Sequence, residues 1–183
     1  MKRTLMFSAA LLMPVLFALA QQPPDSMPHP MAPMQIQHAI AVVQPASGSS
    51  VHGTVTFEAT EKGMHIVANI EGLTPGKHGF HVHEFGDCSA ADASSAGGHF
   101  NPEHKSHGGM MDMERHAGDL GNLTADATGK AQLDWVNPMM SFSGPHSIIG
   151  RAVVVHANED DLKTQPAGNS GPRLACGVIG LAK

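Results

Sequence analysis

The sequence predicts an all-β domain, either a sandwich or a barrel, and three observations support that class. Beyond residue 36 apolar residues recur at period two, and beyond the first twenty residues no stretch shows helical periodicity with caps. Glycine (20 residues) and proline (13 residues) are frequent, as expected for many short strands joined by turns. The length of 183 residues suits one ordinary domain. We therefore expect a single β core whose loops carry the chemistry.

A hairpin is the clearest local prediction. Alternating apolar residues over 51–59 give one inward face, and residues 64–70 repeat the pattern after a turn at 61–63. This pattern is typical of two antiparallel strands. Further short strands are expected near residues 37–43, 77–85, 130–136, 151–156 and 175–181.

Residues 86–128 show little strand signal and consist largely of Gly, Ser, Asp, His and Met. A loop of that length in a compact domain is usually functional, or is held by something other than a core. A metal site and a disulfide could both hold this one. The sequence therefore predicts a sandwich or barrel with long metal-binding and disulfide-stapled loops.

The first twenty residues are typical of a secretory signal peptide. Lys2 and Arg3 precede an apolar run, and the small-x-small pattern at 18–20 marks a cleavage site. A membrane anchor is the alternative, but the run is short for a span and no stop-transfer charges follow it. We therefore expect an exported protein, periplasmic or extracellular, with no stable membrane anchor once residues 1–20 are removed.

Residues 21–36 form a proline-rich extension in which Met27, His29, Met31 and Met34 are interspersed. The prolines exclude a helix or a central strand there. Thioether and imidazole groups together suit copper, particularly its cuprous form, so the extension could receive copper from a donor. The alternative is a disordered leader with incidental methionines. On either interpretation the folded domain covers residues 37–183.

The overall composition excludes one class of partner and points to another. The formal net charge is −5, and aromatic residues make up only 4% of the chain. Nucleic-acid binding needs a basic face and stacking aromatics, so no nucleic-acid partner is expected. Histidine is unusually common at 13 residues, and it is the commonest metal ligand among side chains.

The chain has two cysteines, Cys88 and Cys176. In an oxidising compartment two cysteines usually pair, so export favours a disulfide between them. Two free thiols are the alternative.

The histidines are arranged as metal ligands are. His81 and His83 flank one residue of a strand-like run, so period two places both imidazoles on one face, as half of a copper or zinc site. His156 ends an apolar run and could join this pair. The long loop adds a set that can complete a tetrahedral zinc site: His99, His107, His116 and Asp119.

Four separate motifs then occur in a fixed order: GFHVHEFGD at 79–87, GHFNP at 98–102, ERHAGDLGN at 114–122 and GPRLACG at 171–177. Together they resemble the copper-zinc superoxide dismutases, and the resemblance covers about residues 37–183. It implies an eight-stranded Greek-key β-barrel with a copper ion and a zinc ion as cofactors. The implied activity is dismutation of superoxide to dioxygen and hydrogen peroxide, with copper alternating between cupric and cuprous states.

The resemblance also implies roles for individual residues. The implied copper ligands are His81, His83, His99 and His156. The implied zinc ligands are His99, His107, His116 and Asp119, so that His99 bridges the two metals.

Outside the ligands, the resemblance implies that Asp160 hydrogen-bonds His81 and His107, which would fix both imidazoles. It implies that Cys88 and Cys176 are the disulfide pair. Arg173 is the implied anchor for the superoxide anion, and His99 the implied proton donor to the peroxide product.

Several residues are left with open or ordinary roles. Lys163 could add to the positive field or simply be a solvated lysine. His104 and His146 have no assigned role. We expect the three loop methionines to contribute to packing rather than to bind copper: Met110, Met111 and Met113.

The signal peptide and the long stretch between Cys88 and His99 make the chain resemble the bacterial exported branch, and a homodimer is a possible assembly. The main alternative function is an exported copper or zinc storage or delivery protein without turnover, which the Met/His extension favours. Arg173 and Asp160 argue against it, since a store needs neither an anion anchor nor a bridging imidazole. A structural adhesion sandwich would have no use for the histidines.

Overall fold

The computed structural model describes residues 36–183. The predicted signal peptide (1–20) and residues 21–35 of the predicted extension lie outside the described residues. Within 36–183, no helix is long and apolar enough to cross a membrane.

Eight antiparallel strands close into a barrel in the order β1-β2-β3-β6-β5-β4-β7-β8. The chain leaves β3, skips two positions around the barrel and enters β4, which is a Greek-key connection. This confirms the predicted fold class. The strands are β1 (His38–Pro45), β2 (His52–Thr60), β3 (Gly63–Glu71), β4 (Gly76–His83), β5 (Asp119–Ala125), β6 (Ala131–Asn137), β7 (Ala152–His156) and β8 (Arg173–Leu181).

The predicted hairpin is confirmed as β2 and β3, which pair Ala59 with Met64 across the turn. The five other expected strands correspond to β1, β4, β6, β7 and β8. The sequence interpretation was wrong for β5, which lies inside the stretch assigned to the loop. Leu120 and Leu123 of β5 are both buried, although strict alternation would place residues three apart on opposite faces. Gly121 lies between them with φ +71°, which interrupts the alternation. That irregularity removes the period-two signal.

The barrel interior is a closed apolar core that includes the fully buried side chains of Phe57, Ile66 and Ile179. Phe80 and Val82 of β4 point into this core. Because side chains alternate along a strand, His81 and His83 point to the opposite face of β4, where loops cover them. β4 is therefore buried on both faces at its carboxyl end, and its histidines are held rigidly.

A disulfide joins Cys88 to Cys176, with 5.7 Å between their Cα atoms, so the free-thiol alternative was wrong. It attaches the loop that follows β4 to strand β8. Ala93 and Ala96 of this loop are buried in a small second apolar cluster around the disulfide. The loop is therefore fastened against the face of β7 and β8 that points away from the barrel core, where Ala152 and Val154 complete this cluster.

Candidate metal centre

Four histidines meet beside strands β4 and β7, on the side of β4 that points away from the barrel core. In this group, which we call the first cluster, one ring nitrogen of each imidazole lies within 4.8 Å of one from every other. The adjacent strands β4 and β7 supply three members, and the loop supplies the fourth. The first cluster comprises His81, His83, His99 and His156.

Backbone pairing brings the loop histidine to the strand histidines. The Phe100 N–H donates to the Val82 carbonyl (2.9 Å), and the Gly118 N–H donates to the Phe100 carbonyl (2.9 Å). The Val82 N–H in turn donates to the Gly118 carbonyl (2.9 Å). Two loop segments therefore run alongside β4, and one of them places His99 opposite His83.

A second cluster adjoins the first and comprises His99, His107, His116 and Asp119. The Oδ1 atom of Asp119 accepts hydrogen bonds from Nδ1 of His99 (2.8 Å) and Nδ1 of His107 (3.0 Å). Its Oδ2 atom accepts the backbone N–H groups of His116 (2.8 Å) and Gly108 (3.1 Å). The carboxylate thus organises the loop around itself.

Two ring nitrogens in these clusters are buried and have no hydrogen-bond partner among residues 36–183: His81 Nδ1 and His99 Nε2. The Nε2 atoms of His83 and His156 face each other at 3.3 Å. Buried polar atoms are nearly always satisfied, so unpartnered and mutually facing nitrogens need a ligand. The nitrogens fit a cation placed between them, and imidazole suits both copper and zinc.

Asp160 connects the two clusters. Its Oδ2 accepts a hydrogen bond from His81 Nε2 (2.8 Å) and its Oδ1 accepts one from His107 Nε2 (2.9 Å). The carboxylate is fully buried. The Asn122 side chain binds the Asp160 backbone on both sides, accepting its N–H (2.8 Å) and donating to its carbonyl (2.9 Å). Each histidine consequently turns its other nitrogen, Nδ1, into its cluster.

Burial sets the charge state of the imidazoles in the first cluster. Desolvation, with the neighbouring His99, lowers the pKa of His81 to about 3. Burial also lowers the pKa of His156 to about 4 and that of His83 well below its ordinary value. At neutral pH these imidazoles are neutral, which is the form that binds a metal ion.

For the two buried carboxylates, hydrogen bonds outweigh burial and favour the charged form. Burial alone would raise the pKa of Asp119, but hydrogen bonds from the surrounding imidazoles hold it well below its usual range. The pKa of Asp160 is lowered in the same way by His107 and His81, against its burial. Burial opposes a charge on His107, yet its bonds to both carboxylates raise its pKa to about 9. Two ionised carboxylates in a buried site create a strong demand for positive charge.

Arg173 stands beside the first cluster at the start of β8. Its Nη1 donates to the Ala93 carbonyl (2.5 Å) and its Nη2 to the Gly97 carbonyl (2.6 Å). Both carbonyls belong to the loop that the disulfide fastens. A cavity of about 410 Å³ runs past the guanidinium, and its lining includes His83, His99, His156, Pro166, Ala167 and Arg173.

Lys163 and three further histidines belong to neither cluster. Lys163 and His104 are exposed and do not line this cavity. His146 is bound at the surface, with Nδ1 2.6 Å from the Met139 carbonyl. His78 contacts a backbone carbonyl of β7, that of His156 (2.9 Å), and is a structural histidine.

The prediction that the loop methionines pack was wrong for two of the three. The side chains of Met111 and Met113 are 81% and 91% exposed, respectively. Met110 is partly buried, with its sulfur near Gly121.

Sequence reasoning missed two residues that hold the site together. Asn122, which binds the Asp160 backbone, stands in the third motif and could have been found there. Gln165 binds the backbone of His107, with Oε1 accepting its N–H (2.7 Å) and Nε2 donating to its carbonyl (2.9 Å). A single glutamine in a polar loop gives no signal in the sequence.

The fold and the two adjoining clusters define a β-barrel protein built for two metal ions. The family model for copper/zinc superoxide dismutase matches residues 51–179. The chain belongs to this family. It is therefore an oxidoreductase that dismutates superoxide, with copper and zinc as its cofactors.

Three curated relatives are similar over most of the chain. Superoxide dismutase (Cu-Zn) 2 of Mesembryanthemum crystallinum is 45% identical over 155 residues, covering 81% of this chain and 97% of that protein. The extracellular superoxide dismutase (Cu-Zn) of Brugia pahangi is 44% identical over 153 residues, covering 79% and 76%. Superoxide dismutase (Cu-Zn) A of Xenopus laevis is 48% identical over 148 residues, covering 77% and 97%.

A solved structure is also similar, the crystal structure of the clock protein EA4. It superposes with a TM-score of 0.75 and is 45% identical, covering 85% of this chain and all of that one. The barrel fold is therefore shared with a solved structure whose sequence is 45% identical to this chain.

The packing of Gly168 generates a testable prediction. Its φ is +62°, and a Cβ atom there would lie 1.7 Å from Asp160 Oδ1 and 2.8 Å from His107 Nε2. We expect Gly168→Ala to displace Asp160 and weaken zinc binding by at least about tenfold, the usual effect of disturbing a residue that orients a metal ligand.

Equilibrium dialysis with zinc analysis measures the zinc affinity of this variant. Gly180→Ala, where a Cβ meets nothing within 4 Å, is the control. Equal zinc affinity in both variants would contradict the assigned role of Asp160.

Proposed function

We propose that the first cluster (His81, His83, His99 and His156) holds copper and the second (His99, His107, His116 and Asp119) holds zinc. Three imidazoles and a carboxylate suit a closed tetrahedral zinc site, and an all-imidazole set suits copper. The observation that carries this assignment is the orientation of His99. Its Nδ1 faces Asp119 at 2.8 Å while its Nε2 is buried without a protein partner, so one imidazole offers a nitrogen to each site.

In this assignment copper, when bound, supplies one-electron exchange, because it has two accessible oxidation states and zinc does not. Arg173 binds the superoxide anion. Its guanidinium lines the cavity beside His83 and His156 and is held in place by the Ala93 and Gly97 carbonyls. Charge-assisted hydrogen bonds from such a fixed group orient a small anion and compensate for the negative net charge of the chain.

His99 would supply one of the two protons that hydrogen peroxide needs, and the second would come from solvent. Its Nε2 could carry that proton whenever it is not bound to copper, since Nδ1 is occupied on the side of Asp119. The hydrogen bonds that Asp160 accepts keep His81 and His107 in their tautomers while His99 exchanges its proton.

The role of Arg173 is testable by substitution. We expect Arg173→Ala to keep both metals and to lower kcat/KM about ten- to hundredfold, the usual range for a lost hydrogen bond to a charged group. Arg173→Lys keeps the charge but not the fork of donors, so its kcat/KM should lie between those of the unaltered protein and Arg173→Ala. Metal analysis and superoxide consumption are measured on the same samples. Unchanged activity of Arg173→Ala across a series of ionic strengths would contradict the anion-anchor role.

We further propose that residues 1–20 are a cleaved signal peptide, that 21–36 are a Met/His-rich extension, and that 37–183 are the dismutase domain. The disulfide fits an oxidising compartment, and the relative from Brugia pahangi is named extracellular. Together with the long stretch between Cys88 and His99, this favours an exported bacterial enzyme and the periplasm as its compartment. The mature chain would then begin at Gln21.

The extension is proposed to receive copper from a donor, because its thioether and imidazole groups suit the cuprous ion. We expect deletion of residues 21–36 to slow copper loading of the mature protein at substoichiometric copper and to leave it unchanged when copper is abundant. Copper per chain over time, measured for the full and shortened proteins, checks this. Equal loading at scarce copper would leave the extension without this role.

A homodimer is proposed from an exposed apolar patch at the β1–β8 seam. β1 and β8 pair Ala41 with Ile179, which places Val42 beside Val178 on the outer surface, and both are about half exposed (53% and 43%). Phe85 is also 53% exposed and adjoins Gly86, which packs against Val178. Exposed apolar side chains grouped in this way are typical of a surface that binds another protein, here a second copy of the chain.

A further inference from the structure

We propose that Gln165 is a positioning residue: it holds the backbone of the zinc-side histidine His107 against the loop between β7 and β8. The inference rests on the proposed assignment of His107 to zinc. It concerns a contact outside the two clusters, made by a residue that touches neither the cavity nor the facing imidazole nitrogens.

The contact is a two-point clamp. The Oε1 atom of Gln165 accepts the N–H of His107 at 2.7 Å, and its Nε2 donates to the carbonyl of the same residue at 2.9 Å. Nε2 also donates to the Lys163 carbonyl at 3.1 Å, which fixes the orientation of the amide. One side chain therefore satisfies both backbone groups of His107, as a neighbouring strand would.

The remainder of this loop segment bonds to itself. Asp161 accepts hydrogen bonds from the backbone of Lys163 (3.0 Å) and Thr164 (2.8 Å) and from the Asn169 side chain (3.0 Å). Among the described residues, the hydrogen bonds between segments 161–169 and 104–118 are those of Gln165. The clamp is thus the hydrogen-bonded link from this part of the late loop to the loop that carries His107.

Each ring nitrogen of His107 faces a different carboxylate, so the position of this residue affects both contacts. Its Nδ1 faces Asp119 (3.0 Å), in the second cluster, and its Nε2 donates to Asp160 (2.9 Å), which also binds His81. The ring can meet both partners only if the backbone stays in place. The residues that follow Gln165, Pro166 and Ala167, line the cavity, so the same clamp fixes part of the cavity wall.

Gln165 is itself exposed, so it can be substituted without damage to the core. A substitution at this position removes hydrogen bonds but creates no buried cavity. Gln165→Met keeps the length and flexibility of the side chain and removes the acceptor and the donor. Gln165→Glu keeps an acceptor for the His107 N–H and loses the donor.

The experiment follows the release of zinc and copper from the fully loaded protein into an excess of chelator. We expect Gln165→Met to release zinc about tenfold faster than the unaltered protein, with little change in copper release, in line with the effect of residues that orient metal ligands. Gln165→Glu should release zinc at a rate between those of the unaltered protein and Gln165→Met. Thr164→Val is the matched control: it removes a hydroxyl that bonds only within the late loop, so zinc release should stay at the unaltered rate.

Selective loss of zinc in Gln165→Met, with Thr164→Val unaffected, would support the clamp. Zinc release at the unaltered rate in Gln165→Met would overturn it. Equally faster release of zinc and copper in Gln165→Met and in Thr164→Val would also overturn it, since that result indicates general loosening of the loop. If the unaltered protein takes up no zinc, the ligand assignment itself fails, and the clamp fails with it.

Discussion

The two oxygens of Asp160, each held by an imidazole from a different cluster, are the interaction on which the site depends. This carboxylate is fully buried and lies between His81 and His107. A buried carboxylate is costly unless every lone pair is used, so its hydrogen bonds to the chain are needed for the fold as well as for the metals. Asn122 fixes its backbone, and Gly168 leaves the space in which it fits. Positive charge from bound metals completes the compensation that the imidazoles begin.

The barrel supplies rigidity, and the loops supply most of the chemistry. β4 and β7 present three histidines from strands that cannot shift without breaking the ladder. The loops have almost no apolar core of their own, so separate devices fasten them. The disulfide fastens the loop after β4, which carries the carbonyls that hold Arg173. Asp119 organises the second cluster, and the Gln165 amide joins the late loop to it. Metal binding, disulfide formation and anion binding are therefore properties of one fastened assembly.

Much of this arrangement could be predicted from local pattern. The His81–His83 pair follows from period two, and the hairpin of β2 and β3 from simple alternation. The remaining failures have tertiary causes. β5 was missed because a left-handed glycine shifts its alternation, and its buried Asp119 reads as a loop residue. Gln165 acts on the backbone of a residue 58 positions away, which no sequence pattern records. The exposure of Met111 depends on where the loop turns, and this too is absent from the sequence.

The most direct test of the account is superoxide consumption by the purified mature protein, with copper and zinc counted per chain in the same sample. We expect fast turnover with about one ion of each metal per chain, in keeping with two clusters that share one imidazole. Selective removal of copper should abolish turnover while zinc stays bound. Full occupancy of both metals without turnover would contradict the account and would favour a storage or delivery role instead.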